Sequence, residues 1–293
     1  MDNTPIISII IPVYNAEEHI EECFKSILNQ TFKDFEIICI DDGSTDNSLK
    51  ILYEQARLDK RIKILTQGNC GPGKARNCGL ENAKGSFICF IDIDDNFYDN
   101  NALMNLIVTQ KRYKSDLVIG KISVIDFNNN EQIKIRGWNK VKSNVLYKTE
   151  ELYNNLFQCI SVPVFAKLYK KEIIQNYKIN FNNYKAAEDM LFVYTYILHC
   201  SSMVFIEDLI VNYKVLQANS LSSFNSSYLL DSCNAYRDLK QVIEDKGLDK
   251  LLNRSLLNSY VCCFGYVFKR VSFINKLRIL KKFLLMGVNI LCK

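Results

Sequence analysis

Ile6-Ile7-Ser8-Ile9-Ile10-Ile11-Pro12-Val13-Tyr14-Asn15 is the stretch that decides the fold. A β-branched run with no polar face to offer water reads as a strand covered on both sides. The chain then leaves through Pro12-Val13-Tyr14-Asn15, and Asn15-Ala16-Glu17-Glu18 reads as a helix start. Asn can cap, and carboxylates in a first turn suit the helix dipole. Ile20, Cys23, Phe24, Ile27 and Leu28 then repeat at helical spacing.

Outward from there the alternation continues. Phe35 to Ile40 is the next strand, and a helix follows from Asp46-Asn47-Ser48 to about Gln55. Ile62 to Leu65 is a short strand, Gly73 to Ala83 a helix, and Ser86 to Ile91 another apolar strand. Strands alternating with helices imply an α/β fold with a mostly parallel sheet covered on both faces. Downstream the pattern is less regular. Leu117 to Ile125 reads as a strand and Phe127 to Glu131 as a polar turn. Glu150 to Phe157, Lys171 to Tyr177 and Glu188 to His199 read as helices; Val204 to Ile206 and Ile210 to Val215 read as extended. Beyond about Asn219 the chain is all-helical, over Tyr228 to Lys246, Leu251 to Lys269 and Phe273 to Leu291.

Composition fits this picture. The 293 residues are 48% hydrophobic and 24% charged with only 4 Pro, which excludes disordered and fibrous classes. The net charge of +5 hides an asymmetry: nine of the 37 basic residues lie from Lys250 onward, and no Asp or Glu follows Asp249. The remaining body is mildly acidic, which argues against a nucleic-acid partner and directs any anionic partner to the tail. The 11 Cys show no Cys-x-x-Cys pair, so a reducing cytosol is expected rather than a disulfide framework. Met1-Asp2-Asn3-Thr4-Pro5 lacks the basic start of a secretory leader. The uncharged stretch Ser255 to Phe268 is shorter than the ~20 residues a spanning helix needs.

In open parallel sheets, ligands sit at the C-terminal ends of the strands. Those ends carry the unusual chemistry here: Pro12 to Asn15, Asp41-Asp42-Gly43-Ser44, Asn69 to Asn77, and Asp92-Ile93-Asp94-Asp95. On an extended segment Asp92 and Asp94 would face the same way, and carboxylates so crowded call for a hard cation, Mg²⁺ or Mn²⁺. The plain alternative is an acidic loop before a helix near Asn101. A carboxylate of Asp41-Asp42 could accept from the N3–H of a uracil, or the segment could serve only as turn chemistry. Tyr14 offers a face for a base or ribose, with Pro12 fixing its loop. Arg76, beside a Gly-rich loop and a helix start, suits phosphate, or is a surface Arg paired with Glu81 or Asp46. His19 and His199 read as structural.

These pieces together resemble glycosyltransferase family 2. Ile9 to Asn15, Ser26-Ile27-Leu28-Asn29-Gln30-Thr31-Phe32, Asp41 to Asp46, Gly71 to Gly79 and Asp92-x-Asp94-Asp95 occur in that family's order over residues 6–96. The likeness continues more loosely to about residue 222 through Lys167-Leu168-Tyr169 and Glu188-Asp189. The resemblance implies a GT-A fold over 1–222, with a nucleotide half (1–100) and an acceptor half (101–222). A basic helical extension over 223–293 would follow. It implies that Pro12, Tyr14, Asn15, Asp42, Asn69, Arg76, Asp92 and Lys214 hold the nucleotide-sugar, that Asp92 and Asp94 hold a divalent metal, and that Asp189 is the general base. A carboxylate near the acceptor hydroxyl suits that role, and the cation with Arg76 or Lys214 would stabilise the leaving diphosphate.

The expected activity is inverting transfer of a hexose or N-acetylhexosamine from a UDP-sugar to a saccharide or lipid-linked saccharide acceptor, in polysaccharide biosynthesis. The rivals are a non-catalytic scaffold and a metal-dependent nucleotidyltransferase. The latter should show a Gly-rich basic loop after the first strand, where Pro12 to Asn15 stands instead. One departure from the family pattern is Tyr213-Lys214-Val215-Leu216-Gln217, which keeps a single basic group. In the tail, Phe273, Leu277, Leu280, Leu284, Val288 and Leu291 form a stripe with Arg278, Lys281 and Lys282 off it. It would lie on an anionic membrane through 255–293, at the cytoplasmic face of the inner membrane, or else pack on the catalytic body.

Overall fold

The computed structural model describes residues 4–126, 128–129, 131–184, 187–215 and 226–268. Strand β1 (Ile7–Val13) is flanked by β2 (Phe35–Asp41) and β4 (Phe87–Phe90), and β2 pairs with β3 (Ile62–Thr66); all four run parallel. Three helices connect them: α1 (Ile20–Leu28), α2 (Ser48–Leu58) and α3 (Pro72–Asn82). Period two sorts each strand's side chains into two cores. Ile7, Ile9 and Ile11 join Ile20, Cys23 and Phe24 of α1 on one face. Ile10, Ile38 and Ile40 join Ala75 and Leu80 of α3 on the other. Both faces are dry, so the apolar runs of the sequence need no polar alternation.

The second half extends the same sheet. After the short β5 (Asn96–Phe97) and α4 (Ala102–Tyr113) come β6 (Leu117–Asp126), β7 (Gln132–Arg136) and β8 (Leu146–Lys148). A 3-10 stretch (Thr149–Asn155), α5 (Leu156–Cys159), β9 (Lys167–Lys170), α6 (Lys171–Asn176), α7 (Glu188–His199) and β10 (Ser202–Val215) follow. The strand order is β3-β2-β1-β4-β9-β6-β10-β5, with β7 on β6 and β8 on β10. Antiparallel β9 is wedged between β4 and β6, which brings the loop before it against the ends of the parallel strands. Helices α8 (Ser226–Asp245) and α9 (Asp249–Phe268) close the described chain, α8 against α7 and α9 against α5.

Several expectations are corrected. Asn15 does not cap α1, which begins at Ile20. Asn15 has φ 46°, a left-handed conformation that Asn tolerates, and its Oδ1 accepts from the Thr45 amide at 2.8 Å. The Ala16 amide donates to Ser48 Oγ and that of Glu17 to Asp46 Oδ2. Tertiary partners across the edge thus take the backbone groups that a helical turn would use. Pro12 lies within β1 rather than in the loop after it. The two extended pieces near 204–215 are one strand, interrupted by register shifts around Leu209. The helix expected over 150–157 is a 3-10 stretch followed by one α turn, consistent with Tyr153-Asn154-Asn155 being poor helix formers. Strands β8 and β9 are too short to show a period, whereas β7 does alternate, with Ile133 and Ile135 set between Gln132, Lys134 and Arg136, and was not among the expected strands. The border expected near 222, the stripe from Phe273 and the helix over 273–291 lie outside the described residues. Among the described residues no helix is long and apolar enough to cross a membrane.

Candidate active site

Asp41 ends β2 in register with Val13 of β1 and Thr66 of β3, so the loops after the three strands meet at one edge. Asp42 is buried and ties this edge together. Its Oδ1 accepts from Gln67 Nε2 at 2.7 Å and from the Cys70 amide at 2.8 Å, and its Oδ2 accepts from the Gly71 amide at 2.7 Å. The approach is close enough to require glycine at 43. Gly43 has φ +75°, and a Cβ there would lie 3.0 Å from the Asn69 amide nitrogen. Tyr14 stands 48% exposed beside this loop pair, and Asn69 is also exposed.

The acidic motif after β4 is a turn, not an extended segment. The Asp95 amide donates to the Asp92 carbonyl at 3.0 Å, so Asp92 and Asp94 do not follow a strand's same-face spacing. Crowding survives the correction. Burial first, and then the Asp92 charge, hold the Asp94 carboxyl above the usual range. Asp95 is pushed well up by burial and by Asp94; its Oδ1 accepts from the Lys214 amide at 2.9 Å, while its buried Oδ2 has no partner.

Arg76 joins the two halves of the edge. It is buried on α3, packed against the Phe181 ring, and its guanidinium reaches Asp92 Oδ1 at 2.7 Å through one nitrogen. Through the other it reaches Asp189 Oδ1 at 2.9 Å and Glu188 Oε1 at 3.5 Å. Neither Glu81 nor Asp46 is its partner. Burial alone would lower its pKa, but Asp92, Asp189 and Glu188 raise it instead, so it stays a fixed cation. Glu188 and Asp189 open α7 behind Ala187, which has φ 64°. Asp189 is raised by burial, Arg76 opposing this, and its Oδ2 accepts from the Val164 amide at 3.4 Å. Glu188 is raised by burial and by the Asp189 charge.

Lys214 at the end of β10 is buried and forms an ion pair with Glu22 of α1. Nothing in the chain spacing signals that pairing, nor that of Gln67 with Asp42 or of the Val164 amide with Asp189. Each joins residues far apart in the chain through a loop. The structure therefore gathers Arg76, Asp92, Glu188 and Asp189 by direct contacts, holds Asp42 on the loop that leads into the Arg76 helix, and sets Asp94, Asp95 and Lys214 beside Asp92. Arg76 is a single fixed cation shared by an acidic turn and a helix-borne carboxylate, with Asp92 and Asp189 still 26% and 22% open to solvent. That edge can receive an anionic ligand or cation on one side and a proton from a hydroxyl on the other.

The chain is an α/β protein with a mixed sheet, four parallel strands at one side and an acidic turn after the fourth, and solved structures share this fold. S. aureus TarS 1-349 in complex with UDP matches with TM-score 0.72 and 23% identity, over 94% of this chain and 79% of that one. The mannosyltransferase PcManGT from Pyrobaculum calidifontis, in complex with GDP-Man and Mn²⁺, matches with TM-score 0.57 and 15% identity, over 94% and 79%. The fold is GT-A. Residues 8–178 match the model of glycosyl transferase family 2, and the chain belongs to that family. Glycosyltransferase GlyG of Streptococcus pneumoniae is 31% identical over 71% of this chain and 70% of its own length. Glycosyltransferase GlyA of the same organism is 35% identical over 62% of this chain, and the poly(ribitol-phosphate) beta-glucosyltransferase of Bacillus spizizenii 36% over 64%. The chain spans only 27% and 28% of those two longer relatives.

Proposed function

We propose that this protein is an inverting glycosyltransferase that moves a hexose or N-acetylhexosamine from a UDP-sugar to a saccharide or lipid-linked saccharide acceptor in bacterial surface-polysaccharide synthesis. The observation that carries the reading is Arg76, which holds Asp92 and Asp189 on one guanidinium at the C-terminal edge of the sheet. Donor-side and acceptor-side carboxylates are thereby a fixed distance apart. The TarS complex with UDP, and relatives named for glucosyl transfer, support the donor class and the polymer setting.

The residues fit a divalent cation. Among the described residues no group of three or more His, Cys, Asp or Glu side chains is gathered that could hold one. Asp92 and Asp94 would hold it, with diphosphate oxygens and waters completing the shell, as suits Mg²⁺ or Mn²⁺. The raised Asp94 and the partnerless Asp95 Oδ2 mark a surplus of negative charge that a cation would relieve. When bound, the cation would neutralise charge developing on the leaving diphosphate.

The chain's own residues account for the remaining steps. Asp42, with its loop, would seat the base, and the exposed Tyr14 ring would cover it; Pro12, Asn15 and Asn69 line the same edge. Asp189 would take the proton of the acceptor hydroxyl as that oxygen attacks the anomeric carbon, forming the new glycosidic bond as the bond to the diphosphate breaks. Arg76 opposes the rise that burial imposes on the Asp189 carboxyl. Lys214 would have to leave Glu22 to reach the diphosphate. Residues 255–293 would contact the membrane surface, placing the enzyme at its cytoplasmic face.

The test is turnover of a nucleotide-sugar panel with Mn²⁺ and with EDTA, for the wild type and Asp189→Asn. Expected are metal-dependent UDP-sugar turnover and, in the variant, retained UDP binding with kcat down at least ~10²-fold, in the range positioned proton transfer supplies. Unchanged turnover in Asp189→Asn would remove the base assignment, and metal-independent turnover would remove the cation.

A further inference from the structure

Lys167 is the first residue of β9 and is wholly buried, yet it forms no ion pair among the described residues. Its ammonium donates to the Pro163 carbonyl and lies 3.5 Å from Ser161 Oγ. Burial pulls its pKa down to about 7, with the Asp189 charge opposing. A buried amine costs stability that a methionine of similar length would not. Its placement therefore calls for a reason other than packing.

The Pro163 carbonyl and the Val164 amide belong to one peptide group, and no peptide bond among the described residues is cis. In a trans peptide the C=O and N–H point in opposite directions. One end of this plate faces Lys167; the other donates to Asp189 Oδ2 at 3.4 Å. The next carbonyl, that of Val164, belongs to the following peptide and accepts from Tyr169 Oη at 2.9 Å, so β9 holds one peptide on each side of the Val164 Cα. Arg76 holds the other Asp189 oxygen at 2.9 Å. Between them, Arg76 and the plate fix both oxygens of the carboxylate.

We propose that Lys167 is a positioning residue for Asp189, acting through the 163–164 peptide: by holding the Pro163 carbonyl it aims the Val164 amide at the carboxylate. The role rests on the reading of Asp189 as the base. It is separate from donor binding, because Lys167 reaches no residue of the donor edge except through Asp189.

The test is a double-mutant cycle in the full chain with Lys167→Met and Asp189→Asn. Lys167→Met should lower kcat about 10- to 100-fold, the scale of small misplacement of a catalytic group. UDP affinity and donor KM should change less than about threefold. In the Asp189→Asn background the same substitution should change residual turnover less than about threefold, because the group it positions is gone. If Lys167→Met does not fold, Lys167→Leu, which likewise removes the donor, carries the cycle and the exchange measurement. Additive losses in the double variant, or equal losses in kcat and UDP affinity, overturn the proposal. Hydrogen exchange at the Val164 amide is independent of activity and separates this failure from failure of the enzymatic reading. Exchange should be at least about tenfold faster in Lys167→Met once the plate is released, and an unchanged rate overturns the proposal whatever the protein transfers.

Discussion

Replacing Arg76 with methionine would test the organisation of the site most directly. The side chain is nearly fully buried and faces three carboxylates, at 2.7 Å for Asp92, 2.9 Å for Asp189 and 3.5 Å for Glu188. Removing one member of a buried charge pair typically costs about 3–5 kcal/mol, because the remaining charge is left uncompensated. Asp92 and Asp189 are about a quarter solvent-exposed, so water recovers part of that, and about 2–4 kcal/mol at pH 8 is the expected loss.

The loss should depend on pH with a definite sign. Without Arg76, the largest influence opposing the burial that raises Asp189 and Glu188 is gone, and only the Val164 amide and the Lys167 charge at Asp189, and the backbone amide at Glu188, still work against it. Acids with a raised folded pKa hold more protons folded than unfolded, so stability falls as pH climbs from the ordinary carboxylate range through the raised values. Toward pH 5, below the value of about 7 to which Glu188 is pushed, the difference from the wild type should shrink. Urea unfolding at pH 5, 6.5 and 8 measures this. Arg76→Lys keeps the charge but cannot fork between partners, so an intermediate loss is expected. A pH-independent difference, or a variant under about 1 kcal/mol less stable at pH 8, would show that the guanidinium does not neutralise these acids.

Two further outcomes follow from close contacts elsewhere. A Cβ at Gly79 would lie 2.4 Å from Ile10 Cγ2, so Gly79→Ala should cost about 1–3 kcal/mol by overpacking α3 on β1, read as a lower urea midpoint. Asp42→Asn replaces one acceptor oxygen, in a group that takes three N–H donors, with an NH₂. UDP affinity should drop about tenfold or more while kcat at saturating donor changes less, because the loop from Gln67 to Gly71 is released; titration calorimetry reads the first and steady-state kinetics the second.

Much of the nucleotide half was legible because its signals are local. Buried parallel strands need runs such as Ile6 to Ile11, helices need the stripe from Ile20 to Ile27, and strand ends display their polar residues in order. The acceptor half was less legible. β9 carries only Lys167-Leu168-Tyr169-Lys170, too short for periodicity, yet it separates β4 from β6 and supports the loop that meets Asp189. The turn at Asp92 to Asp95 reads as extended when taken alone, because only the Asp95-to-Asp92 hydrogen bond bends it.

The sequence by itself determined the layered parallel sheet, the edge at which chemistry could sit, and the identity of Asp42, Arg76, Asp92 and Asp189 as its candidates. Periodicity and strand-end position suffice for the sheet, its edge, Asp42, Arg76 and Asp92, since each depends on a few neighbours in the chain, whereas Asp189 was marked only by the resemblance to glycosyltransferase family 2. Tertiary structure alone decided the partnerships: Arg76 with the acids of two distant segments rather than with Glu81 or Asp46, Lys214 with Glu22, and Lys167 with the peptide behind Asp189. A charged side chain pairs with whatever the fold brings within hydrogen-bond reach. In a buried site the lost hydration makes that choice binding, and chain spacing does not encode it.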